Sequence, residues 1–489
     1  MRKNINRTTL VVLVSLLMML SGSFFLFPTN AAPVPKTSQV TLTIAITSEQ
    51  YDAVDDVIAG FLASPLAGEV TDVDVVSSGD TADAQLTYFQ TQLAGEDPTI
   101  DVIGMDVIWT ALFSENGWIE NLDTYLDTNE MDDYIGGMVD SCTYKGSVWA
   151  YPYFFNLGVL FYRKDLLTTY GYSESDFDTW AELNATANDI LAQENDPDLV
   201  GYVGQFSNYE GGTVNFQEWI GSNGATDIFD SSGDPNLTNP DIINALAFLK
   251  GLIAPADDTD LRTTDYIIDR DALGYTEGES EAKWSLGEAI FCRQWPYVYS
   301  ITIANPLLNN TMGPPDNYTQ FGITEIPTFT GGVDEKSSCV GGAILGISAF
   351  SDAKDAAFNL TRYLGDNESQ YYALEEYSHF PALKDTYSGL PSTLDYVEQF
   401  YLVSGRTLAR PKHEDYPEIS DAISDRFTEV ISCQKSAADG MDDLQQDIED
   451  IISPPSEVVI PSFVLSIVFI GIAAMVSVIV LLNRKKFKH

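Results

Sequence analysis

Positive charge is scarce in this chain. Its 489 residues hold 25 Lys and Arg against 72 Asp and Glu. Seven of the basic residues (Arg2, Lys3, Arg7, Arg484, Lys485, Lys486 and Lys488) lie at the two ends, where no acidic residue stands. Residues 33–482 therefore carry 18 basic and 72 acidic groups, a net of −54. Such a surface repels phosphate backbones and anionic headgroups, which excludes nucleic acid as a partner. Histidine is almost missing, with only His379 and His413 before the last residue. There is no GxSxG elbow and no HExxH, so a serine triad or a zinc protease site has no material. No GxxxxGK(S/T) occurs, and ATP hydrolysis would have to come from another subunit. The four cysteines, Cys142, Cys292, Cys339 and Cys433, include no CxxC, which argues against zinc and thiol redox roles. Asp269, Asp271 and Gly274 imitate a calcium loop, but Leu273 and Ser280 stand where its fifth and twelfth ligands are needed. No metal and no cofactor is expected.

What is present is apolar material at 45%, enough for two or more domains with real cores. Residues 1–32 place three basic residues before an apolar run over 10–27, then Pro28 and the small residues Ala31 and Ala32, the pattern of an export signal. Residues 462–482 are 21 uncharged, mostly apolar residues, long enough to cross a hydrocarbon core of about 30 Å. A basic tail over 483–489 follows, which the positive-inside tendency places in the cytoplasm. Everything between signal and anchor is then expected outside the cell, tethered close to the membrane by a short linker over 453–461. Disulfides persist there, and three cysteine pairings are open. Beyond residue 32, six Asn-x-Ser/Thr acceptors, at Asn184, Asn236, Asn309, Asn317, Asn359 and Asn367, fit an external surface.

In the exported part Val40, Leu42, Ile44 and Ile46 alternate as a strand, and Glu49 follows just ahead of the helical set Val54, Val57, Ile58, Phe61 and Leu62. A second strand-like run over 70–76, a helical segment around 86–93 and a third apolar run over 100–105 ending at Asp106 complete a βαβαβ rhythm. That rhythm predicts an α/β fold with a mostly parallel sheet and a ligand beyond the strand ends. Thr179 with Glu182 forms a capping-box pattern, and Asn239, Pro240 and Asp241 start another helix. Leu444, Ile448, Ile451 and Ile452 form the last amphipathic stripe.

Trp295, Pro296, Tyr297, Val298, Tyr299 and Ser300 crowd three rings around a proline that must end the preceding strand-like run. Rings there can fill a core or offer a flat face to a sugar or apolar ligand. Paired carboxylates could instead cleave a sugar, and Glu218 beside Trp219 is the foremost candidate for such an extracellular glycoside hydrolase.

Several stretches resemble the extracellular solute-binding proteins of sugar ABC importers, most closely their maltose/trehalose-binding branch. They run in order along nearly the whole exported chain: Asp106, Val107, Ile108 and Trp109 with Asn116, Gly117 and Trp118; Tyr151 and Pro152 through 160–167; Tyr209, Glu210 and Gly211 with Phe216, Glu218 and Trp219; Gly287, Glu288 and Ala289 leading to Trp295, Pro296 and Tyr297; then Val340, Gly341 and Gly342, Arg410 and Pro411, Glu418 to Ser420, and Asp442 to Gln445. The resemblance implies a two-lobed periplasmic-binding-protein-like fold with three crossings, near 150–153, 339–342 and 382–389. Lobe 1 would comprise 38–150 and 342–385, and lobe 2 would comprise 151–341 and 386–452. It implies a binding protein rather than an enzyme, with a monomeric ectodomain that delivers a carbohydrate to ABC permease subunits in the same membrane. Trp295 and Tyr297 would stack on sugar rings, Phe154 would add apolar surface, and Glu49, Asp106 and Arg410 would bond hydroxyls, with Asn156 and Gly342 completing the set. Three positions depart from that branch: Phe154 and Asn156 replace an aromatic hydroxyl and an aspartate, and Ala343 replaces a tryptophan, so the sugar would differ in size or linkage. A non-sugar solute is the remaining alternative, since fold alone does not fix the ligand.

Overall fold

The computed structural model describes residues 40–256, 260–308, 320–331, 337–391, 394, 396–397, 400–401 and 404–453. The expected signal, the linker beyond Ser453, the apolar 462–482 segment, the basic tail and the acceptors Asn309 and Asn317 lie outside the described residues. Among the described residues no helix is long and apolar enough to cross a membrane.

The described residues open with β1 (Val40–Thr47), whose Leu42, Ile44 and Ile46 are fully buried. Thr47 then accepts a hydrogen bond from the Gln50 amide and starts α1 (Ser48–Ala63), which buries Val54, Ile58 and Phe61. Next come β2 (Val70–Gly79), α2 (Ala82–Leu93) and β3 (Val102–Asp106), so the βαβαβ rhythm is present as read. A small hairpin of β4 (Thr143–Tyr144) and β5 (Ser147–Val148) leads to β6 (Tyr151–Leu157), and β7 (Val159–Tyr162) follows after one residue. Then α3 (Trp180–Glu194) starts at the Thr179/Glu182 capping box. Three further elements are β8 (Val200–Val203), the wholly buried α4 (Glu210–Gly221) and α5 (Pro240–Leu252), which Asn239 caps. After α6 (Glu277–Ser285) come β9 (Ala289–Gln294) and β10 (Gly322–Thr324), then β11 (Val340–Ile347) and β12 (Phe380–Pro381). The described chain closes with α7 (Tyr416–Ile431) and α8 (Ala437–Ile452), the latter burying Leu444 and Ile448.

These strands form two larger sheets, each the base of one lobe. The first runs β12-β6-β11-β3-β1-β2, with β1 parallel to both β2 and β3 and the β11, β6 and β12 pairings antiparallel. The second runs β10-β7-β9-β8; α3 and α6 pack against it, while α4, α5, α7 and α8 pack on one another. Because β1 and β3 are parallel, Thr47 and Asp106 emerge at the same edge of the first sheet, where an open α/β sheet holds its ligand.

The first crossing differs in detail from the one the resemblance implies. Strand β6 pairs with β11 through Val340↔Leu157 to Leu345↔Tyr151, so 151–157 belongs to the first sheet and the first crossing moves to Gly158. The second lies at Cys339, which bridges Leu408 ahead of β11. Ala382 accepts from the Ile135 amide and Tyr387 donates to the Pro381 carbonyl, which ties the start of the 382–389 stretch to the first sheet.

Beneath two crossings sits a buried ion pair. Arg293 donates from Nε and Nη2 to the Glu218 carboxylate at 2.7 and 2.6 Å, and the Cys339 amide donates to Glu218 Oε1 at 3.2 Å. Burial alone would lower the Arg293 pKa, but Glu218 more than reverses this and holds it above its ordinary value. Glu218 is thus bound on two sides, which corrects its reading as a hydrolase candidate. The cysteines also need correction: all four are free thiols. Burial pushes Cys142, Cys292 and Cys339 up in pKa and leaves them poorly reactive.

Gly158 makes the crossing over this pair possible, since a Cβ there would lie 2.0 Å from Glu218 Oε1 and 2.7 Å from Arg293 Nη2. Gly158→Ala is expected to cost about 1–3 kcal/mol in urea unfolding through overpacking. Gly251→Ala in α5, with nothing near its added methyl, should be neutral or stabilising. Equal effects at the two sites would contradict the packing role of Gly158.

Candidate functional site

A cavity of about 610 Å³ lies between the two sheets. The first lobe contributes Thr47, Ser48 and Gln50 around the start of α1, Asp80 and Thr81 before α2, Asp106 at the end of β3, Phe154 and Asn156 from β6, and Tyr377 and His379 before β12. The second contributes Tyr209 and Glu210 at the start of α4, Glu277 and Glu281 from α6, Trp295 and Tyr297 after β9, and Arg410. Asp106, Phe154, Asn156, Trp295, Tyr297, Gly342 and Arg410, named from the sequence, all come together here. Glu49 lies in the first turn of α1, and its side chain is outside what the structure describes.

The floor of the cleft is a charge network. Arg410, whose side chain is only 2% exposed, donates to Glu210 Oε1 at 2.6 Å, to Asp106 Oδ1 at 2.9 Å and to the Val340 carbonyl at 3.3 Å. Glu210 also accepts from the Tyr416 hydroxyl at 2.7 Å and the Ser420 hydroxyl at 2.6 Å. Burial raises the Glu210 pKa above its usual 4.5 despite the opposing pull of Arg410. Burial would lower the Arg410 pKa, but Asp106 and Glu210 outweigh it and hold the guanidinium well above its ordinary range. Asp106 is the more exposed partner, at 19% against 7% for Glu210, and so presents a charged acceptor to the cleft.

One wall is aromatic because β9 stops at Gln294, as the proline requires, and the next residues turn. The Gln294 side chain accepts from the Trp295 amide at 3.1 Å and donates to the Glu277 carbonyl at 2.8 Å, fixing the turn to α6. The Trp295 ring lies over the Arg293 guanidinium, 4.2 Å from carbon to ring centroid, and its Nε1 donates to Glu277 at 3.3 Å. Tyr209 donates to the other oxygen of Glu277 at 2.6 Å, and the Tyr297 hydroxyl donates to Glu281 at 3.4 Å. Tyr299 points elsewhere, stacking on Tyr396 with ring centroids 3.9 Å apart.

The facing wall is aromatic too. His379 stacks on Phe154 with centroids 4.5 Å apart and planes 12° from parallel, so one Phe154 face is already covered. Tyr377 donates to Asp56 at 2.6 Å, which with Tyr372 holds that carboxyl below its usual value. Asn156 turns its Oδ1 onto the Leu157 amide at 3.1 Å and can offer its Nδ2 as a donor. Gly342, at φ +111°, lets β11 pass the Phe154 carbonyl, which a Cβ would approach to 2.2 Å. Among the described residues no group of three or more His, Cys, Asp or Glu is placed to hold a metal ion.

Tyr209, Glu210, Glu277, Tyr377 and His379 were not on the sequence-derived set of ligand contacts. Glu210 and Glu277 open helices, where acids are common for capping and dipole reasons, so their type carried no signal of a site. His379 could have drawn notice only by its rarity.

A family model described as bacterial extracellular solute-binding protein matches residues 50–371. A probable ABC transporter-binding protein of Deinococcus radiodurans is 31% identical over 372 residues, 75% of this chain and 83% of that protein. Among solved structures, the maltose-bound T. maritima protein MalE3 is similar with a TM-score of 0.72 and 26% identity over 84% of this chain and 99% of its own. UgpB from Mycobacterium tuberculosis, in complex with glycerophosphocholine, shares the fold with a TM-score of 0.67 and 16% identity over 85% of this chain and 98% of its own.

Removing the guanidinium would leave Glu210 buried without its counter-charge. Arg410→Met is expected to cost about 3–5 kcal/mol, and adding Glu210→Gln should recover much of it. In Arg410→Met the folded Glu210 pKa rises further above its unfolded value, so its proton stabilises the fold at low pH. Stability should therefore fall as pH rises from about 4.5 through the raised value, and Glu210→Gln should flatten that slope. Urea unfolding across pH 4 to 8 measures both, and an unchanged slope in the double variant would contradict the assignment.

Proposed function

The chain belongs to the bacterial extracellular solute-binding protein family, and we propose that its cleft captures a di- or oligosaccharide of the maltose or trehalose kind and passes it to an ABC permease without chemistry. The observation that carries this reading is the pairing of the Trp295 ring, backed by Arg293 on one face, with the Asp106–Arg410 pair in the same cavity. A flat ring suits the C–H face of a sugar, and charged groups that already hold partners bond neutral hydroxyls strongly without being left unpaired. The likeness to a maltose-bound protein supports the ligand class. Phe154 under His379, and Ala343 in register beside Phe154, give this chain its own wall on the first lobe. The ligand we assign is therefore related to maltose or trehalose rather than identical to the branch's usual sugar. Glu218, the carboxylate a glycosidase reading needs, is held by Arg293 and the Cys339 amide.

Residues 462–482 are read as the anchor that keeps this monomeric receptor beside its permease, where tethering raises effective concentration. Expressed without residues 454–489, the protein should leave the membrane fraction and appear in the medium; persistent membrane association would refute the anchor.

A thermal-shift panel of maltose, trehalose and longer glucosides should raise the melting temperature with at least one member. Calorimetry with that sugar should show Trp295→Ala losing about 1–3 kcal/mol, with no sugar cleaved. A panel without any shift, or cleavage of the sugar, would overturn the proposal.

A further inference from the structure

Trp295 stands in a turn and is only half-buried, so nothing in its own backbone fixes the plane of its ring. Three neighbours do. Gly341 lies at the ring's edge, where an added Cβ would come within 2.7 Å of it, Glu277 accepts from the indole N–H, and Arg293 covers one face. Arg293 is itself immobilised more completely than a packing residue needs. Beyond its two bonds to Glu218, Nη1 donates to Gln205 Oε1 at 3.0 Å, and Gln205 Nε2 donates back to the Arg293 carbonyl at 3.1 Å and to Ser280 at 2.7 Å.

We infer that Arg293 is a positioning residue for ligand capture: its guanidinium, locked by Glu218 and Gln205, sets the plane of Trp295 and leaves the opposite face of the indole for the ligand ring. This rests on the sugar-capture reading of the cleft. The ring's ordering is complete before the ligand arrives, which removes a cost that would otherwise weaken binding. Because Glu218 also accepts from the Cys339 amide and packs against Gly158, the residue that orients the ring is anchored to two of the crossings between the lobes.

A double-mutant cycle separates positioning from mere structural support. Arg293→Lys keeps the charge and loses the planar fork. With maltose as the probe it should weaken binding roughly 3- to 30-fold in the native background. In the Trp295→Ala background it should cause no further loss. Glu218→Gln, which keeps the shape of its side chain, should show the same dependence on Trp295 with a smaller effect, and serves if Arg293→Lys does not fold. Losses that multiply independently of Trp295 would overturn the inference. A ligand-free readout decides the matter even if maltose does not bind. The near-ultraviolet circular dichroism of Trp295, taken as native minus Trp295→Phe, should change shape when the same difference is recorded with Arg293→Lys in both proteins. An unchanged difference spectrum would refute the positioning role; absence of binding by the native protein to maltose and to the rest of the panel would refute the sugar reading alone.

Discussion

Arg410 is the group on which the cleft depends. It arrives on the returning chain, buried, and binds Asp106 from the end of β3 and Glu210 from the start of α4, so a single guanidinium joins a carboxylate of one lobe to a carboxylate of the other. Glu210 would not be tolerable so far from water with only neutral partners, and the buried arginine would be as costly without its two acids. Tyr416 and Ser420 saturate Glu210 from behind, which leaves Asp106 as the carboxylate turned toward the cavity. The polar half of the site is thus a by-product of how the lobes are held together.

The same economy appears in the second ion pair. Glu218 and Arg293 sit under the Gly158 and Cys339 crossings, and the guanidinium that completes the pair also backs Trp295. A carboxylate this constrained is ill suited to protonate or attack a glycosidic bond, whereas a ring held this rigidly is well suited to stacking. Binding is therefore the chemistry that the arrangement favours, in keeping with the family to which the chain belongs.

Much of this was legible in residue order, and the reason differs by element. Period-two alternation over 40–46 identified β1, because successive side chains point to opposite faces of a sheet, and the apolar run ending at Asp106 identified β3, because a strand buried on both faces imposes a continuous run. Pro296 announced the end of β9 and the turn that exposes Trp295. The first crossing was misplaced because Tyr151–Leu157 and Val159–Tyr162 are both buried apolar strands, separated only by Gly158, and which sheet each joins depends on β11, far along the chain. The roles of Glu210, Arg293 and His379 were hidden for a related reason. Arg293 reads as an exception within a buried strand, and its partner is 75 residues away. His379 meets Phe154 only because β12 lies beside β6. Six Asn-x-Ser/Thr sites beyond residue 32 and four cysteines suggested an external surface, yet the cysteines are thiols, a matter that spacing could not settle.

A crystal structure of the protein with the sugar that binds it tests the central claim most directly. One sugar ring is expected on the Trp295 face turned away from Arg293, with its hydroxyls bonded to Asp106 and Arg410 and both lobes in contact with the ligand. A sugar bound outside this cleft, or inside it without touching Trp295, would rule out Trp295 as the stacking surface.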